Sequence, residues 1–236
     1  MWCPLYWNLL ISRPVHKGGN RELTENLRSI SLLPIFAKCL ECFVHKAIYT
    51  HVSPYLSKWQ HGFIKGRSWE TQPVITHHQW ALVFLDFFKA FDRVSHPILS
   101  QKLCGFGISS SLLQRCESYL SHRPQRVVLD GVSSSWSEVS SGVPQGSPLG
   151  PLFFVIFISD LPEAVLPGNT IALYADDYKS SRMLQIKICF RRISTNDLHQ
   201  WSSRNFMDFS VKKCKIMRIA KKKQPFTSNF FLDKSV

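Results

Sequence analysis

Two acidic clusters could do chemistry. Phe84-Leu-Asp-Phe-Phe-Lys-Ala-Phe-Asp92 sets Asp86 directly after the apolar run Ala81–Leu85, and Tyr174-Ala-Asp-Asp177 sets Asp176 beside Asp177. An apolar strand that ends in an acid delivers its carboxylate to the rim of a sheet, and a tight turn with two acids does the same from a strand pair. If those strands are neighbours, three carboxylates converge, repel one another and raise their own pKa values. A divalent cation removes that cost, and an all-oxygen ligand set favours magnesium over zinc. Two such ions, about 3.5–4 Å apart, activate an attacking hydroxyl and stabilise the leaving oxygen in phosphoryl transfer. Each cluster alone has a plainer reading. Asp-Asp is ordinary turn chemistry, and an acid after a strand can cap the next helix, as Asp92 could. The order of the two clusters, with the loop Gly142–Pro151 between them, makes the metal-binding reading the stronger.

The elements that must position these acids follow from periodicity. Residues 81–85 read as a strand buried on both faces, and residues 171–174 and 178–182 as a hairpin with the acids at its tip. Residues 97–104 and 109–120 read as helices separated by Gly105 and Gly107. Arg126–Asp130 and Ser135–Val139 read as a hairpin split by a Gly-Ser turn. The loop 142–151 leads into an apolar helix at 152–160. Residues 31–50 carry Ile35, Phe36, Cys39, Leu40, Phe43, Val44, Ala47 and Ile48 at helical spacing, with Pro34 near the start where a helix tolerates it. Residues 12–29 read as a polar, basic loop, 60–68 as a glycine-bounded loop, 70–80 as a short helix, 184–202 as helical and 210–219 as strand-like. The expected fold class is α+β: a small antiparallel sheet, built from the Asp86 strand and the Asp176–Asp177 hairpin, backed by the helices at 97–120 and 152–160.

Composition narrows the partners. Lys plus Arg number 29 against 16 Asp plus Glu, a net charge of +13 on 236 residues. Such an excess favours a polyanion, and nucleic acid is the commonest; a basic surface kept for solubility is the alternative. An apolar fraction of 44% is enough for a core. Among seven cysteines, Cys39 and Cys42 form a lone C-x-x-C with no second pair at zinc spacing. They fall in the helical run and are expected as buried thiols of a reducing compartment. No apolar run reaches the ~20 residues that span a membrane, and residues 1–11 lack the basic region and cleavage site of a signal peptide.

These motifs resemble the reverse transcriptases of non-LTR (LINE-like) retrotransposons. Asn26-Leu-Arg-Ser-Ile-Ser-Leu-Leu-Pro34 with Phe36–Glu41 is similar to the first fingers block, and Gln60-His-Gly-Phe with Gly66-Arg-Ser68 to the second. Leu85–His96 resembles the first palm motif, Gly142–Leu152 the substrate-binding loop and helix, Tyr174–Asp177 the metal box, and Val211–Met217 the next palm motif. The resemblance implies a right-hand polymerase with partial fingers at 1–80, a palm at 81–220 and a basic tail at 221–236, the thumb missing. It implies two magnesium ions held by Asp86 and Asp176, with Asp177 as a supporting carboxylate. Phe91 would exclude a ribose 2′-OH, Gln145 would contact nucleotide and template, and Arg28 and Lys38 would hold the triphosphate. Lys65 and Arg67 would meet template phosphates, and Lys213 would lie near the departing pyrophosphate. The implied partners are an RNA template, a DNA primer and deoxynucleoside triphosphates, with no membrane. The expected function is RNA-directed DNA polymerase, weak or inactive as a truncated chain. The competing reading is a non-catalytic basic module that binds nucleic acid.

Overall fold

A computed structural model describes residues 9–67, 80–121, 123–165, 170–174, 185–190 and 195–219. The chain divides into two compact units, and each takes two stretches of sequence. The first holds the residues up to Leu56 together with Lys89–Phe157, and the second holds Ser57–Phe88 and the residues from Ile158 onward.

In the first unit, β1 (Leu10–His16) pairs antiparallel with β2 (Leu27–Leu32) and parallel with β4 (Pro124–Leu129). The expected loop at 12–29 is therefore strand at both ends, over 12–16 and 27–29, and outside the strands only over 17–26. Its polar residues mask the pattern, because β1 has β4 beside it only over Leu10–Ser12. Pro14, which has no N–H to give, lies beyond that stretch and faces β2 alone. The hairpin after β4 turns at Asp130-Gly131, both with positive φ (48° and 82°), as a two-residue turn matched to strand twist requires. Its return is split: β5 (Val132–Ser133) pairs with the far end of β4 and β6 (Ser137–Glu138) with the near end.

Four helices complete this unit: α1 (Ile35–Val52), α2 (His96–Gly105), α3 (Ser110–Leu120) and α4 (Leu149–Phe157). α4 begins three residues before its expected start. It is apolar all round and all but Pro151 of its residues are buried, as that composition demands. α1 packs against it and buries Ala37, Glu41, Ile48 and Val52, which recur on one helical stripe. That choice of face corrects the expectation for the thiols. Cys39 and Cys42 are exposed, as are Ile35, Phe36 and Phe43.

In the second unit a four-stranded sheet runs β7 (Thr170–Tyr174), β8 (Gln185–Phe190), β3 (Trp80–Leu85), β9 (Lys215–Ile219), every pair antiparallel. α5 (Thr195–Asn205) packs against the 3-10 turn at Leu161–Ala164. Two expectations change here. Of the helix expected over 184–202, Gln185–Phe190 is strand and Thr195 onward is helix, with the rest outside the described residues; Ile186, Ile188 and Phe190 repeat every second residue and pair across to β3. Of the short helix expected at 70–80, Trp80 opens β3 and the rest lies outside the described residues, as does the return strand expected at 178–182.

Candidate active site

The register of the second sheet bears directly on the acids. Leu85, the last residue of β3, lies opposite Ile186 of β8, and so does Leu173, the penultimate residue of β7. Both strands are antiparallel to β8, so both run the same way and leave the sheet at the same rim. Asp86 follows Leu85 directly, and Asp176 is three residues beyond Leu173. With one strand between them, the two exits are about 10 Å apart, twice the interstrand spacing. Asp176 and Asp177 themselves lie outside the described residues. Among the described residues, no three His, Cys, Asp or Glu side chains converge as a metal site.

Asp86 is 5% exposed. Its backbone is fixed by the stretch before β9: Ser210 N–H donates to Asp86 O at 2.7 Å, and Phe88 N–H to Asp208 O at 2.9 Å. The next side chain, Phe87, is buried and stacks on Phe209 at 4.9 Å with Trp201 at 5.9 Å. Trp201 is in turn anchored by its Nε1–H to Asp160 at 3.0 Å. Lys213 brings its ammonium to 3.8 Å from Asp86 Oδ2 and is itself 39% exposed. A buried carboxylate is costly without a compensating cation, and this lysine compensates in part. The neighbouring Cys214 thiol is pushed up in pKa by its burial, and the charge of Asp86 adds to that rise.

In the first unit the loop 142–148 is held from several sides. Gly142 N–H donates to Val94 O at 2.8 Å and Val143 N–H to Phe91 O at 2.7 Å. Ser31 N–H donates to Gln145 O at 2.8 Å, tying the loop to β2. The Gln145 amide donates to Asp92 Oδ1 at 2.9 Å. Gly142 has φ +90°, and a Cβ there would stand 2.8 Å from the Asp92 Cα, so only glycine lets the loop come this close. Ser147 Oγ accepts the N–H groups of Leu149 and Gly150 at the start of α4, bonds the Tyr119 hydroxyl at 2.7 Å and donates to buried Glu41. Phe91 is half-buried and stacks on Phe154 of α4 at 4.9 Å.

The remaining cations differ in burial. Arg28 is half-buried on β2, and Lys38 and Lys65 are exposed. Arg67 spends Nη1 on the carbonyls of Ser57 and Gln60, at 2.8 and 2.7 Å, within a loop that lies along β7 through Trp59, Gln60 and His61. Sequence reading missed the acid that orients Gln145 and the Glu41–Ser147–Tyr119 group. Their partners are 53, 106 and 28 residues apart, and no local pattern signals such pairs.

Residues 15–228 match the family described as reverse transcriptase (RNA-dependent DNA polymerase). The chain is 36% identical over 180 residues to an RNA-directed DNA polymerase from the mobile element jockey of Drosophila funebris, covering 68% of this chain and 20% of that protein. It is 30% identical over 190 residues to a probable RNA-directed DNA polymerase from transposon X-element of Drosophila melanogaster, covering 74% and 21%. The chain thus spans about a fifth of the length of these relatives. In fold it is similar to a telomerase from Candida tropicalis solved with a fragment of telomeric RNA, with a TM-score of 0.64 at 10% identity over 90% of this chain and 41% of that one. A match that runs from residue 15 to residue 228 of 236 leaves one conclusion: the chain belongs to the reverse transcriptase family.

Proposed function

We propose that this chain carries the nucleotidyl-transfer centre of an RNA-directed DNA polymerase, extending a DNA primer on an RNA template. The observation that supports this best is the common exit of β3 and β7 at one sheet rim, with Asp86 at one exit and Asp176 and Asp177 following the other. Asp86 fits a magnesium site: it offers hard oxygen donors from a buried position, beside a cation that already offsets part of its charge. In the proposed arrangement Asp86 and Asp176 ligate two ions and Asp177 supports them. Bound magnesium supplies Lewis-acid neutralisation of the charge on the reacting phosphoryl group.

The chain's own groups position the substrates. Gln145, its amide fixed by Asp92 and its carbonyl by Ser31, offers a rigid edge to the nucleotide and template. Phe91, stacked on Phe154, presents a ring that cannot swing away from a ribose 2′-OH and so selects deoxynucleotides. Arg28 and Lys38 hold the triphosphate. Lys65 and Arg67 meet template phosphates, and Arg67 Nη1 is also engaged with loop carbonyls. Lys213, near Asp86, serves the pyrophosphate side.

The test is primer extension on an RNA template with magnesium, for the unaltered chain, Asp86→Asn and Asp176→Ala. We expect weak extension that both substitutions abolish, while salt-sensitive nucleic-acid binding persists in all three. Extension that survives either substitution would discard the reading. Binding without any extension favours the basic, non-catalytic module, which the charge of +13 also supports.

A further inference from the structure

The first unit has a partly open cavity of about 250 Å³, walled by one face of the β2–β1–β4 ribbon, the end of α3 and the 139–145 loop. Three serines share that ribbon face. Ser29 and Ser31 are two residues apart on β2, and Ser12 of β1 pairs directly with Ser31. Ser12 is 0% exposed, and the hydroxyls of Ser12 and Ser29 have no hydrogen-bond partner among the described residues.

Arg123 lines the same cavity and is 3% exposed. Its Nη1 donates to Tyr119 O at 3.3 Å, and its guanidinium lies over the Tyr119 ring at 4.4 Å. Its Nε has no partner, and among the described residues no carboxylate stands within ion-pair distance of it. The buried acid Glu41 is engaged with Ser147, and the acid at the cavity wall, Asp92, is exposed and holds Gln145. A buried, unpaired guanidinium is costly, and so is a buried hydroxyl without a partner. All three unmet groups can donate. A ligand with negative charge and several acceptor oxygens answers them together, as phosphate does for a guanidinium and hydroxyls elsewhere.

We propose that this cavity is a phosphoryl-oxyanion site, with Arg123 as its counter-charge and Ser12 and Ser29 as donors. The cavity borders Asp92 and Gln145 of the proposed polymerase site, but its donors Arg123, Ser12 and Ser29 have no part in that reading, so either can fail without the other. Two sources carry this chemistry, free pyrophosphate and the phosphodiester of a bound strand.

Calorimetric titration of the whole chain without divalent metal separates them. The probes are pyrophosphate, a short abasic oligonucleotide and its uncharged methylphosphonate counterpart. The Ser12→Ala/Ser29→Ala variant removes only unmet hydroxyls, so its thermal midpoint should hold while its affinity for the phosphoryl ligand falls at least about tenfold. Loss confined to pyrophosphate identifies the free anion. Loss for the charged oligonucleotide, with the methylphosphonate strand indifferent, identifies the strand. Affinities for both charged probes that stay within about twofold in the serine variant mean general attraction to a basic protein and overturn the proposal. So does an Arg123→Gln variant whose thermal midpoint still rises with pyrophosphate.

Discussion

Asp86 is a carboxylate buried at the end of a strand, and asparagine keeps its shape without its charge. In Asp86→Asn we expect single-nucleotide incorporation to fall by at least about 10²-fold. The thermal midpoint should hold or rise, because a buried charge is gone and Lys213 can turn to solvent. Rapid-quench kinetics and a melting curve read the two effects separately. Two histidines set an acid limit on stability. Burial lowers the pKa of His45, and burial followed by the charge of Arg67 lowers that of His61. Each favours its neutral form in the fold, so the unfolded chain takes up the proton first as pH drops. Their stabilisation is complete above the ordinary value of 6.5 and is lost as pH falls from there through the depressed folded value. Urea midpoints from about pH 7.5 to about pH 5 should decline, and His61→Gln should flatten that decline.

At the scale of elements, α1 shows how far a helical pattern can be read. Its length and spacing were legible, but its apolar stripe was not its buried face. Ile48 is 0% exposed while Phe36 and Phe43 are 76% and 74% exposed. Ile48→Ala should therefore cost about 2–5 kcal/mol. Phe36→Gln and Phe43→Lys should each change stability by no more than about 0.5 kcal/mol. Urea unfolding checks the contrast, and equal losses at all three positions would contradict the observed face. The loop 142–148 depends on Gly142 for its approach to Asp92. Gly142→Ala combines a strained φ with a 2.8 Å clash, and should cost about 1–3 kcal/mol and lower incorporation by misplacing Gln145. β1 and β8 were misread because β4 and β3, with which they pair, are remote in sequence, and Arg13, Pro14 and His16 give β1 and its hairpin partner β2 the look of a loop.

For the whole molecule, charge and thiol exposure give tests that do not depend on catalysis. With a net charge of +13, binding to any single strand should weaken steeply with salt, and the log–log slope should shrink by about 0.7 for each phosphate-contacting lysine or arginine removed. Lys65→Gln provides that measurement by fluorescence anisotropy. Thiol chemistry checks the fold as a unit. Cys39, Cys42 and Cys104 are exposed, whereas Cys116 is buried and its pKa is pushed up to about 12 by burial and by Glu117. Brief alkylation followed by peptide mass spectrometry should label the first three and spare Cys116 until the chain is unfolded.

The residues by themselves determined what local chemistry controls: an apolar run that must be strand, an acid at its end, a paired acid after a second strand, and a glycine-rich loop before an apolar helix. These follow from backbone period and side-chain type within a few positions of each other. Only the tertiary structure decided the strand order and the register that places both exits on Ile186. It also chose the face of α1 that is covered, and brought Asp92 to Gln145 and Glu41 to Ser147. Those outcomes rest on contacts between segments far apart in the chain, and such contacts leave no periodic trace in either partner alone.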